Sequence, residues 1–128
     1  MFKFNQKRQT TASQIDSMPI TTVIGQETTF HGNISGENTI KIDGNVLGNV
    51  SVSKGIILGE KSWVKGNLES GHIIVYGQID GNVTCRELIL KNSAVINGDI
   101  STDALEIEMG GKYNGKLRMN QTEHRSEN

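Results

Sequence analysis

Apolar residues alternate with polar or small ones in short runs along most of the chain, and the runs repeat. One five-residue unit recurs: an apolar or aromatic residue, a variable residue, Gly, a fourth residue that is usually Asn, then Ile, Val or Leu. Its copies are Phe30-His31-Gly32-Asn33-Ile34 and the segments 46–50, 64–68, 79–83, 96–100 and 113–117. The glycines stand at 32, 48, 66, 81, 98 and 115, in steps of 16, 18, 15, 17 and 17 residues. Between the copies lies a second track of short apolar triplets: Ile40-Lys41-Ile42, Ile56-Ile57-Leu58, Ile73-Ile74-Val75, Leu88-Ile89-Leu90 and Leu105-Glu106-Ile107, with Thr22-Val23-Ile24 as a first copy. Alternation of this kind is the period of a half-buried strand. Glycine at this density would destabilise a helix.

A coil of 15 to 18 residues cannot bury its apolar face alone. A repeat of this length therefore predicts stacking, with each strand beside its copy in the next coil, about 4.8 Å away in parallel register. Six coils make a rod about 30 Å tall. The expected fold is all-β: a single-domain parallel β-helix, or solenoid, of about six coils. It is expected to be right-handed, because parallel crossovers overwhelmingly are. The repeated glycine fits a corner needing positive φ or close approach of coils. The repeated Asn fits either a side-chain ladder between coils or a favourable turn residue.

Composition agrees. Glycine is abundant, 15 of 128 residues, proline occurs once, and aromatics make up 5%. Such a core must be assembled from many small aliphatic contributions. The single cysteine, Cys85, excludes an internal disulfide and a cysteine-cluster metal site. It falls in step with Val52, Ser70, Thr102 and Met119, as a small core residue. The net charge of −1 gives no field for nucleic acid. No apolar stretch is long enough to cross a membrane, and no secretory h-region opens the chain, which points to the cytoplasm.

Three features resemble catalytic or binding chemistry, and the repeat accounts for each. Gly55, Gly59, Lys61 and Ser62 echo a phosphate-binding loop, but the glycine spacing is three and Glu60 intervenes. His31 and His72 fall on outward or pre-strand positions, and His124 in the tail. Trp63 precedes Val64 at a corner, where it packs over the coil or, less favourably, marks a lateral contact. No cofactor or metal is expected.

A stack of strands has two open ends, and a solenoid that stays monomeric caps them. No cap is visible in the sequence. The first coil offers Val23 or Ile24, with Phe30 and Ile34. The last offers Tyr113, Leu117 and Met119. Contact through these ends is the expected mode of assembly. Between residues 20 and 119 there are 9 basic and 11 acidic residues, a balance of −2, so the faces are expected to be solvated. Residues 1–19 form an expected flexible N-terminal tail before a β-helix at 20–119, and 120–128 an expected flexible C-terminal tail. The first tail carries Met1, Phe2, Lys3, Phe4, Lys7 and Arg8, aromatic and basic groups suited to a lipid interface.

The stretch 22–120 resembles the bactofilin family of bacterial cytoskeletal proteins. The resemblance rests on Thr22-Val23-Ile24-Gly25, on Ile42-Asp43-Gly44-Asn45-Val46, and on the repeated Gly-Asn-apolar corners. It implies a three-faced right-handed β-helix with flexible tails. It also implies non-polar, nucleotide-independent filaments formed end to end, held at the inner face of the cytoplasmic membrane and serving cell shape or envelope organisation. The partners it implies are the chain itself, the inner membrane surface, and envelope or peptidoglycan-related proteins. The competing reading is a hexapeptide-like β-solenoid acyltransferase, a closed trimer using His72 or His31. The hexapeptide period is absent, so no enzyme is expected.

Overall fold

A computed structural model of the chain describes residues 19–120. The expected tail positions at 1–18 and 121–128 lie outside the described residues, and with them the expected membrane-targeting residues. Three strands make the first coil, β1 (Ile20–Ile24), β2 (Thr29–His31) and β3 (Ile34–Gly36). The second coil is β4 (Thr39–Ile42), β5 (Asn45–Leu47) and β6 (Val50–Val52). The third opens with β7 (Gly55–Leu58) and β8 (Trp63–Lys65). From there on, the last side of one coil and the first side of the next are a single bent strand: β9 (Leu68–Val75), β11 (Val83–Leu90) and β13 (Ile100–Ile107). Between these lie β10 (Gln78–Asp80) and β12 (Val95–Asn97), and the sixth coil ends with β14 (Lys112–Asn114) and β15 (Leu117–Met119).

All neighbouring strands pair in parallel. Coils therefore stack side on side, and three faces result. The first face runs from β1 through β4 and β7 to the later halves of β9, β11 and β13. The second is β2, β5, β8, β10, β12 and β14. The third is β3, β6, the earlier halves of β9, β11 and β13, and β15. Six coils close on three sides each.

Alternation within each strand sends one set of side chains inward. On the second face the inward column is Phe30, Val46, Val64, Ile79, Ile96 and Tyr113. On the third it is Ile34, Val50, Leu68, Val83, Ile100 and Leu117. On the first face Ile40, Ile56, Ile73 and Leu88 form one column, and Ile42, Leu58, Val75 and Leu90 a second. These pack into one continuous core. β-Branched side chains suit such columns because they are stiff at χ1 and pack well on a pleated surface. Cys85 sits inward beside Ser70 and Thr102 in register, and its Sγ lies 3.6 Å from the Thr102 hydroxyl. Burial pushes that thiol up to about 11.

The uneven glycine steps have a simple origin. The corner between the second and third faces always holds two residues, Gly and its neighbour. The corner between the first and second faces holds four residues at 25–28, 59–62, 91–94 and 108–111, but two at 43–44 and 76–77. The corner between the third and first faces holds two residues at 37–38 and 53–54, and afterwards one, at Gly71, Arg86 and Asp103. The four combinations of these lengths give the steps of 15 to 18.

Candidate functional site: the ladder corner and the two bare ends

The constant corner is held by two devices. Its glycines have positive φ, for example +153° at Gly66 and +156° at Gly81. A Cβ at Gly81 would collide with the Gly66 carbonyl oxygen of the coil before it, and the same holds up the stack to Gly115. Only glycine lets the coils approach at this edge. Beside it, each Asn side-chain oxygen accepts the backbone N–H of its counterpart one coil on. The Asn49 N–H reaches Asn33 at 2.9 Å, Asn67 reaches Asn49 at 2.9 Å, and Asn82 reaches Asn67 at 3.0 Å. Asp99 then reaches Asn82 at 3.0 Å, and Lys116 reaches Asp99 at 3.1 Å. Of the two roles open to this Asn, the ladder is the one formed. It runs from side chain to backbone, so Asp99 can replace Asn without breaking it.

A second ladder decorates the outside of the second face. The Trp63 indole N–H donates to Asp80 at 2.5 Å, Asn97 donates to Asp80 at 2.9 Å, and Asn114 donates to Asn97 at 2.9 Å. The Asn97 and Trp63 hydrogen bonds hold the Asp80 carboxyl below its usual range. Trp63 is half-buried on this face.

The chemistry-like residues occupy ordinary structural places. Gly55 lies in β7, and residues 59–62 are a turn closed by Ser62 N–H to the Gly59 carbonyl at 3.0 Å. His31 is exposed on β2. His72 sits outside the triangle, 2.8 Å from Glu87 and 3.3 Å from the Lys54 carbonyl oxygen. Among the described residues no three or more His, Cys, Asp or Glu side chains gather in a metal-binding group.

The ends differ from the middle of the stack. In the first coil Phe30 is 38% exposed, while Val46 one coil on is fully buried. Ile34 is half-buried against the core. Of the pair Val23 and Ile24, Ile24 takes the inward position beside Ile42, and Val23 points out in the row of Lys41. In the last coil Tyr113 and Leu117 are partly buried and pack on the core, and Met119 is half-buried. Leu105 and Ile107 belong to the same end layer, Ile107 being 43% exposed. These two escaped the sequence reading, although Leu105-Glu106-Ile107 is the sixth copy of its track and so must lie in the last coil. The inward column of the second face is aliphatic throughout except at its two termini, Phe30 and Tyr113. Each end thus carries an aromatic ring at the edge of an exposed core layer.

A stack of parallel three-sided coils with an apolar layer at each end defines a β-solenoid. Residues 22–118 match the bactofilin family model, described as polymer-forming cytoskeletal. The chain belongs to the bactofilin family. Bactofilin BacO of Myxococcus xanthus is 26% identical over 117 residues, covering 91% of this chain and 93% of the relative. Bactofilin BacP of the same organism is 26% identical over 118 residues, covering 91% of this chain and 48% of the relative. Among solved structures, the double helical filaments of Thermus thermophilus bactofilin give a TM-score of 0.74 at 25% identity, covering 78% of this chain and 100% of that one. The cytoskeletal bactofilin BacA, solved by solid-state NMR, gives 0.71 at 28% identity, covering 77% and 95%.

Proposed function

We propose that this bactofilin assembles end to end into non-polar filaments without nucleotide, and that these line the inner face of the cytoplasmic membrane in the service of cell shape or envelope organisation. The observation that carries the proposal is the pair of apolar end layers, Phe30 with Ile24 and Ile34 at one end, and Tyr113 with Leu105 and Leu117 at the other. The filament structures of similar chains support it. Ile24 is already buried within the subunit, so the gain comes from the surface still open on Phe30, at 38%, and on the half-buried Ile34, Tyr113, Leu105 and Leu117, each adding a fraction of the about 1.5–3 kcal/mol of full burial. Joining like end to like end makes each contact two-fold and leaves the filament without direction. Tyr113→Arg or Leu117→Arg puts a charge into that contact. Either variant should remain folded by circular dichroism and show no filaments by negative-stain electron microscopy. Unchanged filaments in both would remove the C-terminal contact. The membrane part rests on the residues at 1–8. The full chain should pellet with anionic liposomes and a chain lacking residues 1–8 should not; equal pelleting ends it.

A further inference from the structure

The outward rows of the three faces begin and end differently. On the first face the row runs Val23, Lys41, Ile57, Ile74, Ile89 and Glu106. Its isoleucines form a dry strip, 5%, 1% and 4% exposed. One outward row of the second face runs Thr29, Asn45, Trp63, Gln78, Val95 and Lys112. On the third face the row runs Ser35, Ser51, Glu69, Thr84, Ser101 and Arg118. Each row begins without charge in the first coil and ends on a charge in the last. Around the rim of the last coil the signs are sorted. Asp103, Glu106 and Glu108 occupy the first face and its two corners, while Lys112, Lys116 and Arg118 follow along the second and third faces. Glu108 is already held by Lys91, one coil below, at 3.1 Å. The other five are exposed and make no ion pair among the described residues. Below Glu106 stands Ile89, and below Lys112 stands Val95, so neither charge is answered within its own row.

Charges along an open strand edge commonly keep copies apart. A rim of one sign does that, whereas a rim sorted by sign is complementary to a copy of itself. Two last coils can meet about a two-fold axis in three ways, with the axis through one corner of the triangle and the middle of the opposite face. An axis through the corner between the second and third faces lays Glu106 on Glu106 and Lys116 on Lys116. An axis through the corner between the third and first faces offers Glu106 only Arg118. It offers Lys116 only the Glu108 that Lys91 already holds, and Asp103 meets its own copy. An axis through the corner between the first and second faces lays the first face of each copy on the second face of the other. Glu106 then meets the partner's Lys112, Asp103 meets the partner's Lys116, and symmetry makes each pair twice. Tyr113 falls beside the partner's Leu105 and Ile107. Arg118 near the axis is the single like-charged meeting. We propose that the C-terminal joint adopts this last register, with the pair of Glu106 and Lys112 setting the rotation of one subunit on the next. The inference rests on the end-to-end assembly proposed above. The first coil has no such rim, so the N-terminal joint is set without it.

The test is charge exchange in the full chain. The readout is the protein concentration at which half of it sediments as filaments, with folding checked by circular dichroism. Glu106 and Lys112 are exposed, so reversing either leaves the coils intact. Glu106→Lys and Lys112→Glu should each raise that concentration about tenfold, because each turns two attractive pairs of the joint repulsive. The double variant Glu106→Lys/Lys112→Glu remakes both pairs with signs exchanged and should return to the parent value. A double variant no better than the single ones overturns the proposal. So does rescue by Glu106→Lys/Arg118→Glu instead, since the first face would then lie on the third. Single reversals without effect, in a protein whose filaments Tyr113→Arg abolishes, overturn the charge-set register and leave end-to-end assembly standing. Filaments that survive Tyr113→Arg as well remove the joint itself, and this inference with it.

Discussion

Two corners of the same triangle follow different rules. The corner between the second and third faces never varies in length, and almost every residue in it has a partner in the next coil. Its glycines let carbonyl oxygens of the coil below approach, and its Asn side chains tie each coil to the next. The corner between the first and second faces takes either two or four residues. Its four-residue form closes on itself, as in the Ala94 N–H to Lys91 carbonyl bond at 2.9 Å, and carries side chains such as Met109 at 95% exposure. The difference teaches which corner fixes the length of the repeat. One corner makes the same contacts between coils at every step, and the other absorbs changes in chain length while making contacts of its own, such as the Lys91 to Glu108 pair at 3.1 Å.

The largest expected effect is at the constant corner inside the stack. Gly81→Ala forces a Cβ into the Gly66 carbonyl oxygen at a positive φ. It should destabilise by about 3 kcal/mol or more in thermal or denaturant unfolding. Gly32→Ala at the first coil sharpens the contrast, because the nearest atom to its Cβ is a Phe30 ring carbon at 3.7 Å. Only the backbone strain remains there, about 1–2 kcal/mol. Equal losses at the two sites would mean that φ, rather than coil contact, selects the glycine. Next comes Asn67→Ala, which removes the acceptor for the Asn82 N–H and should cost about 1 kcal/mol by the same measurement. Asn67→Asp should restore most of it, as Asp99 already serves in this role. Smallest is Met109→Ser at the variable corner, expected within about 0.5 kcal/mol of the parent. A larger loss there would show that the variable corner also sets the stack.

Much of this was legible in the sequence because the constant corner writes its requirement directly. A glycine that must accept a neighbouring carbonyl, followed by an Asn that must reach the next backbone, is visible as Gly66-Asn67 or Gly81-Asn82. The five-residue unit hid one thing, since it bends around that corner. Phe30 lies on the second face and Ile34 on the third, so the two apolar tracks are three faces. The outward isoleucines were invisible for a different reason. Ile56-Ile57-Leu58 and Ile73-Ile74-Val75 are apolar at all three positions, so alternation cannot say that the middle one points out. The same ambiguity left Val23 and Ile24 as alternatives, resolved only by the register Ile24 to Ile42. The faces, expected to be merely solvated, include the dry strip for that reason.

The hydrogen bonds between coils, such as Gly48 N–H to the Lys65 carbonyl at 3.0 Å, lie along the stack rather than across it. Tension along a thread of such rods therefore loads every bond of one inter-coil layer together, on three sides at once. A layer loaded in parallel yields only when all its bonds give way. In the end-to-end thread proposed above, the joints between rods would rest on the apolar end layers and, at one end, on a few rim charges. Such a thread is expected to yield at its joints before its links, shedding whole folded subunits.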